Sequence, residues 1–240
     1  NPWQGMRIID DTLDTLRKRK DVTEEKILAA RYQLIEDMLV DLREQVDVAA
    51  ENAFRKKVKK GDIVFKLLAT PFEDLNFEFQ EIAHVRVSEG DAPLLREGFT
   101  PLERSLYDKV FKSHLNALEE GVALYLDDSD AVHWWWRIVS RQGWSLQGWK
   151  RNKVYPDFLI KLEAHEDDAR MLVLETKGKH LGGNEDTEFK KKLFEVLEAA
   201  YARGVEAGEV ELFADRPDAM HFRIMLQDDN WKSDLQSYLT

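Results

Sequence analysis

The sequence contains no cysteine, and none of its stretches approaches the roughly 20 consecutive apolar residues that a membrane-spanning helix needs. The absence of thiols excludes disulfides and cysteine-based zinc sites, which agrees with an expected location in a reducing cytoplasm. Residues 1–5 lack the basic start and apolar run of a secretory signal. Since 43% of the 240 residues are hydrophobic and 34% are charged, we expect a soluble chain with a sizeable core and no membrane partner.

Acidic residues are missing from one stretch of an otherwise acidic chain. The formal net charge of −11 argues against a nucleic-acid partner, because phosphate binding normally uses a basic surface. Residues 131–156, however, contain no Asp or Glu and hold five of the seven tryptophans. Two interpretations stay open: a local nucleic-acid contact, or a tryptophan-rich sheet with a solvated basic edge. The basic side chains of this segment are Arg137, Arg141, Lys150, Arg151 and Lys153.

The hydrophobic patterns predict a helical and β linker or accessory domain over residues 1–95 and a separate domain over 96–240. In the first part, Thr23 is placed to cap a helix of about 30 residues, and residues 63–68 predict a buried strand. In the second part, Thr100 and Pro101 predict the start of a helix. The later pattern predicts strands over 133–139, 144–149, 154–162, 171–177, 209–213 and 220–226, with a helix from about Asn184. This order is typical of a mixed α/β sheet flanked by helices.

The predicted hairpin of the second part brings polar side chains together. Strand side chains alternate, so Glu175 and Lys177 point to one face at the end of an apolar strand. If Glu163 lies opposite Arg170, then Asp157 falls beside Glu175 or its neighbour. Two carboxylates and a lysine therefore converge at one end of the hairpin.

Convergent carboxylates raise each other's pKa, and a divalent cation relieves that repulsion. Mg²⁺ prefers oxygen ligands, and we expect Asp157, Glu175 and the Thr176 carbonyl to hold it, with Mn²⁺ as a substitute. Lys177 would add positive charge near an attacking water or a phosphate. The alternative is a surface salt bridge between Lys177 and Glu175. The Glu-x-Lys string occurs three times in the chain, and only this copy follows an apolar strand and a Pro-Asp pair.

The strings Tyr155–Phe158 and Glu175–Gly178 resemble the PD-(D/E)xK nuclease superfamily. More narrowly, the stretch from about Leu115 to Lys192 is similar to the nuclease end of type III restriction subunits and related superfamily-two helicase–nucleases. The resemblance implies a restriction-endonuclease-like mixed sheet for the second part of the chain. Residues 1–95 resemble more weakly the segment that links such a nuclease to its helicase motor. Further matching strings are Leu115–Glu119, Trp134–Arg137 and Gln147–Arg151.

The resemblance also implies residue roles. Asp157 and Glu175 would hold the metal, Lys177 would help activate water, and an acidic residue on the preceding helix would join them. Glu119 matches that acidic position, with Glu120 as the fallback, and a solvated helix face is the alternative for Glu119. The residues expected to contact nucleic acid or orient the site are Arg137, Gln147, Lys150, Arg151, Lys190 and Lys191, with ordinary exposed side chains as the alternative for the lysines. His180 is expected to be a surface histidine.

Together these features predict a Mg²⁺-dependent endonuclease that hydrolyses DNA, as the C-terminal module of a larger ATP-driven restriction or defence helicase–nuclease. No Gly-x-x-x-x-Gly-Lys-Ser/Thr string occurs, so the motor itself is expected upstream, with a modification subunit or a second copy as a further partner. Two alternatives stay open. One is a nucleic-acid-binding or scaffolding module that does not cleave, and the other is a nuclease that acts on RNA.

Overall fold

A computed structural model describes residues 2–62, 65–66, 89–141, 144–163, 170–178, 183–202, 207–208, 219–228 and 230–240. Its helices are α1 (Pro2–Arg17), α2 (Glu24–Ala29), α3 (Arg31–Lys60), α4 (Ala117–Asp128), α5 (Glu185–Ala202) and α6 (Trp231–Leu239). Its strands are β1 (Phe65–Lys66), β2 (Val132–Arg137), β3 (Phe158–Leu162), β4 (Arg170–Lys177), β5 (Ala207–Gly208) and β6 (Ala219–Leu226). Two short 3₁₀ helices cover Glu97–Phe99 and Lys112–His114.

The chain divides into two compact units, Asn1–Asn52 and Ala53–Thr240. The first unit is helical, as its sequence predicts. Thr23 accepts a hydrogen bond from the Lys26 backbone N–H at 3.3 Å and so caps a helix, but that helix is the six-residue α2. The long helix of 30 residues is α3, which begins after a break at Ala30. The predicted domain boundary at residue 95 stays a prediction, because residues 67–88 lie outside the described part of the chain.

The apolar stripe of the first unit is largely exposed. Ile35 and Val46 on α3 keep 51% and 59% of their surface accessible, whereas Phe54 and Val58, in the second unit, are buried. The helical periodicity therefore predicted helix α3 but not which of its apolar side chains are buried. Among the described residues, no helix combines the length and apolar character needed to cross a membrane.

The second unit is built on a four-stranded mixed sheet in the order β2-β3-β4-β6. The first three strands are antiparallel, and β6 runs parallel to β4 after the chain passes through helix α5. A parallel neighbour requires such a crossover, which a helix supplies. The described residues therefore form a mixed α/β domain, as predicted.

The centre of this sheet is buried on both faces. In β3 the side chains of Phe158, Leu159 and Ile160 are all at most 1% exposed, and the β4 run Met171–Leu174 is equally buried. A continuous apolar run rather than strict alternation is what a strand covered on both sides requires. Each such side chain contributes about 1.5–3 kcal/mol when fully buried. The polar residues at the ends of these strands are therefore held by a rigid framework.

Two predicted elements of the second unit are wrong. The helix expected from Thr100 begins instead at Ala117, where the Asn116 side chain accepts hydrogen bonds from the backbone N–H groups of Leu118 and Glu119. The strand expected over 144–149 is absent from the described residues there, which contain only an isolated bridge between Leu146 and Val154. Local tryptophan content favoured a strand, but the segment packs as a loop.

Other predicted elements are confirmed with small shifts at their ends, namely β2, β3, β4, α5 and β6. In the hairpin, Phe158 pairs with Leu174, so Asp157 comes opposite Glu175, one residue from the assumed alignment. Helix α5 begins at the expected cap, since Asn184 Oδ1 accepts a 2.8 Å hydrogen bond from the Thr187 backbone N–H. The predicted strand over 209–213, most of the one over 63–68 and the hairpin turn at 164–169 lie outside the described residues.

Candidate active site

The ends of three strands and the first turns of two helices meet at one end of the four-stranded sheet. Arg137 ends β2, Asp157 immediately precedes β3, and Glu175 and Lys177 lie at the end of β4. Antiparallel pairing of β2, β3 and β4 brings these ends together. Helix α4 contributes Glu119 from its first turn. Helix α5 contributes two residues from its first two turns, Asp186 and Lys190.

Asp157 is held by Thr176 on the neighbouring strand. Its Oδ2 accepts hydrogen bonds from the Thr176 backbone N–H at 2.7 Å and from Thr176 Oγ1 at 2.8 Å. The N–H and C=O of a strand residue point to the same side, so the Thr176 carbonyl also faces Asp157. Asp157 and the predicted carbonyl ligand therefore lie on the same side of β4.

Arg137 bridges two of the carboxylates. Its Nη2 lies 3.1 Å from Glu119 Oε1, and its Nη1 lies 3.3 Å from Asp157 Oδ1. The Glu119 side chain is only 12% exposed, which excludes the solvated-face interpretation of this residue. Its Oε2 also accepts a hydrogen bond from the Asn116 backbone N–H at 2.9 Å and so completes a capping box. Glu119 thus both starts the helix and faces the site.

Glu119 and Asp157 are in direct contact, and the protein makes ionisation of Glu119 costly. Burial raises the pKa of Glu119, and the charge of Asp157 together with a hydrogen bond between the two side chains raises it further, against the attraction of Arg137. Two touching carboxyl groups need a proton or a cation between them. A divalent cation would satisfy both.

Glu175 is the most deeply buried carboxylate of the site, at 3% exposure. Its Oε1 lies 2.7 Å from Lys190 Nζ and 3.0 Å from Lys177 Nζ. Its Oε2 is fully buried and has no hydrogen-bond partner among the described residues. Burial raises the pKa of the Glu175 carboxyl, as does the charge of Asp157, while the two lysines oppose that rise. An unpaired buried carboxylate oxygen is costly, so this atom is a candidate ligand position.

Lys177 is held as an ammonium. Burial alone would lower its pKa, but the neighbouring Glu175 and Asp186 carboxylates outweigh burial and raise that pKa well above the usual value. Burial has the larger effect on the pKa of Glu175, whereas attraction by the carboxylates has the larger effect on the pKa of Lys177, because Glu175 is the more deeply buried of the two. At neutral pH Lys177 therefore acts as a positive charge and not as a base.

The carboxylates fit a hard divalent cation by type and burial. Asp157, Glu175 and Glu119 supply anionic oxygens, and Glu175 Oε2 accepts no hydrogen bond from any residue in the described part of the chain. Within the described ranges, however, no three His, Asp or Glu side chains are already gathered into a metal-binding group. Arg137 and the two lysines instead neutralise the acids in this arrangement. A cation would have to displace some of these contacts.

A basic groove of about 610 Å³ adjoins the acidic residues. The described residues of its lining include five cationic side chains and one carboxylate, Asp186. Next to the groove, the backbone at Gly148 lies close to α5: a Cβ on Gly148 would be 2.9 Å from Phe189 Cζ. The Lys150 ammonium lies 5.0 Å from the centre of the Phe189 ring. The cations of the groove are Arg141, Lys150, Arg151, Lys153 and Lys190.

The structure brings some of the predicted nucleic-acid contacts together and not others. Lys150, Arg151 and Lys190 line the groove, and Arg137 lies among the carboxylates. Lys191 faces a different cavity, between α5 and β6, and pairs with Glu188 at 2.9 Å.

Gln147 has a local structural contact, because its Nε2 donates to the Lys150 carbonyl oxygen at 2.8 Å. The fallback acid Glu120 pairs with Lys112 at 3.0 Å, and His180 lies outside the described residues. The tryptophans of the acid-free segment serve mainly the core: Trp135, Trp136 and Trp144 are at most 4% exposed and cannot stack on bases.

Sequence reasoning missed three features of the site. Asp186 was not predicted as a site residue, the side chain of Thr176 was not expected to hold Asp157, and Lys190 was expected at a phosphate rather than on Glu175. The four-residue spacing of Asp186 and Lys190 was a visible signal that they share one face of a helix. Nothing local indicates that this face meets the end of β4.

A comparison of the chain with known protein families, with curated proteins and with solved structures finds no match.

Proposed function

We propose that this chain is a divalent-metal-dependent endonuclease that hydrolyses DNA phosphodiester bonds. The observation that carries the proposal is the cluster in which Arg137 joins Glu119 to Asp157 and Lys177 contacts Glu175, whose buried Oε2 has no partner among the described residues. A surface salt bridge needs neither a third carboxylate nor a buried free oxygen. The order of a helix, three antiparallel strands, a helix and a parallel strand supports a restriction-endonuclease-like core.

Glu119, Asp157, Glu175 and the Thr176 carbonyl would hold the cation, preferably Mg²⁺ with Mn²⁺ as a substitute. A bound divalent cation supplies Lewis acidity, which lowers the pKa of water and stabilises charge on a phosphate. Hydrolysis forms a bond from a water oxygen to phosphorus and breaks the bond to one ester oxygen; the attacking water loses a proton to solvent, and the leaving oxygen gains one from solvent. Lys177 remains protonated and stabilises the negative charge that develops on the phosphate.

The basic groove supports a nucleic-acid substrate. Five cations around one carboxylate form a local positive surface on a chain whose net charge is −11. Such a surface binds the phosphate backbone without reading sequence. Because the rest of the chain is acidic, we expect weak binding to nucleic acid that partner domains strengthen. An upstream helicase motor, and a modification subunit or a second copy, are the proposed partners, which a coding sequence continuing upstream into a helicase would support.

A non-cleaving nucleic-acid-binding module is the second candidate. It is favoured by the contacts that neutralise every acid of the site: Arg137 on Glu119 and Asp157, and Lys177 and Lys190 on Glu175. These contacts would offset the charges of the acids without a divalent cation. Binding to DNA without cleavage in Mg²⁺, Mn²⁺ or Ca²⁺ would favour this candidate.

The decisive experiment is a cleavage assay on plasmid and linear DNA with Mg²⁺ or Mn²⁺. We expect Asp157→Asn and Lys177→Met each to lower the rate by at least about 100-fold, as loss of a group that stabilises the transition state does. Lys232→Met, on helix α6 and outside the groove, serves as the control. Undiminished cleavage by both site variants would overturn the assignment. Matched DNA and RNA duplexes in the same assay separate the two substrates.

A further inference from the structure

Four charged side chains form a closed ring at the helix side of the site. Lys190 Nζ lies 2.7 Å from Glu175 Oε1 and 3.2 Å from Asp186 Oδ2. Lys177 Nζ makes the same two contacts, at 3.0 Å and 3.2 Å. Each lysine therefore bridges both acids, and we call this arrangement the lysine–carboxylate ring. Its two positive and two negative charges cancel.

Because its charges cancel, the lysine–carboxylate ring has no excess negative charge to attract a cation. A divalent ion at Glu175 would face two ammonium groups at close range, and like charges in a buried site repel strongly. One lysine must therefore withdraw when a cation binds. The two lysines differ in what lies beside them.

The backbone of Lys177 is held by the sheet. It is paired with Leu226 in the parallel ladder, and its backbone carbonyl accepts a 2.8 Å hydrogen bond from the Gln227 N–H. Lys190 stands on helix α5 and also lines the basic groove. Both lysines would keep Asp186 as a partner on leaving Glu175, at 3.2 Å in each case, but only Lys190 of the two has the groove beside it. Of the two lysines, Lys190 is therefore the one that a phosphate in the groove would meet.

We propose that Lys190 is a positioning residue that competes with the divalent cation for Glu175 and turns to a substrate phosphate in the groove when the cation binds. This inference rests on the proposed nuclease function and concerns the regulation of the same site. Phosphate in the groove stabilises the withdrawn Lys190, so nucleic acid and cation strengthen each other's binding. That coupling is reciprocal by thermodynamic necessity.

The test is a calorimetric titration of the whole chain with Mn²⁺ alone, without nucleic acid. Lys190→Met should bind Mn²⁺ about 10-fold more tightly than the wild type, a typical size for coupling between sites. Lys190→Arg keeps the charge and should stay close to the wild type. The matched control is Lys191→Met, on the same helix, whose lysine pairs with exposed Glu188 and does not enter the ring. Its Mn²⁺ affinity should not change.

Thermal melts in EDTA check that each variant folds. Without Lys190, the buried Glu175 loses a partner, so Lys190→Met should melt lower in EDTA and recover more than the wild type when Mn²⁺ is added. Lys190→Gln, which keeps a hydrogen-bond donor, is the second variant if the Met variant folds poorly.

Two outcomes would overturn the inference in distinguishable ways. If the wild type binds Mn²⁺ and Lys190→Met and Lys190→Gln bind it no more tightly, the competition is wrong and the proposed metal site stands. If neither the wild type nor any variant binds Mn²⁺, both the metal site and the competition are wrong.

Discussion

Thr176 donates two hydrogen bonds to the same oxygen of Asp157, one from its backbone N–H at 2.7 Å and one from its hydroxyl at 2.8 Å. The residue between Glu175 and Lys177 in the Glu-x-Lys string is therefore not a spacer. The Thr176 side chain lies on the opposite face of the strand from the side chains of Glu175 and Lys177. It holds Asp157, the third residue of the site. Charge-assisted bonds of this kind orient a carboxylate strongly.

This relationship predicts that Thr176→Val impairs the site, because Val keeps the shape and removes the hydroxyl donor. Loss of a group that orients a metal ligand typically costs about 10- to 100-fold in metal affinity or activity. Thr176→Ser retains the hydroxyl and should stay within a few-fold of the wild type. Mn²⁺ affinity and cleavage rate measure the effect, and equal rates for the Val and Ser variants would contradict it.

The raised pKa values of Glu119 and Glu175 predict a pH-dependent loss of stability without metal. A carboxyl whose folded-state pKa is raised contributes stability that is full below its usual value of 4.5 and is lost as pH rises through the folded-state pKa. Glu119→Gln/Glu175→Gln removes both titrations, and Gln keeps the capping box at residue 119. The stability of this variant relative to wild type should therefore increase as pH rises.

Melting temperatures in EDTA between pH 4.5 and 8 measure that difference. For a chain of this size each kcal/mol corresponds to about 2–4 °C. Divalent cation should reverse the order at high pH, because only the wild type gains from binding. A difference in melting temperature that stays constant across the pH range would show that neither carboxyl has a raised pKa.

The basic groove predicts that the affinity for nucleic acid depends on salt concentration. Arg151→Ala and Lys153→Ala each remove one cation from the lining. For each lost phosphate contact, the slope of log affinity against log salt should fall by about 0.9 for duplex DNA and about 0.7 for single strands. Fluorescence anisotropy at several salt concentrations measures the slope. Lys232→Ala, outside the groove, is the control, and an identical slope in all variants would argue that nucleic acid binds elsewhere.

Asp127 is a buried carboxylate with a structural rather than a chemical role. It accepts hydrogen bonds of 2.9 Å from the backbone N–H groups of Glu103 and Arg104 and from Trp135 Nε1. Asp127→Ala leaves these three donors unpaired and should lower the free energy of unfolding by about 3–5 kcal/mol. Glu119→Gln, at the other end of α4, should cost less than about 1 kcal/mol. Urea unfolding compares the two, and similar losses would contradict the distinction.

Much of the second unit could be predicted from local pattern. Apolar runs with polar ends predicted β3 and β4, and turn residues predicted their antiparallel pairing to within one residue. The same pattern predicted that Asp157, Glu175 and Lys177 meet. The helix start at Asn116 was missed because Thr100 and Pro101 offered an equally good local signal. Local signals of similar strength cannot be ranked without the packing that selects one of them.

By itself, the sequence determined the class of the domain, the faces of its central strands and the convergence of its three main polar residues. These follow from the two-residue period of a strand and from the need to bury apolar runs. Only the tertiary structure decided that Arg137 bridges Glu119 and Asp157 and that Lys190 binds Glu175. Those contacts join distant segments, and their partners are fixed by how α4 and α5 pack on the sheet rather than by any neighbour in the chain.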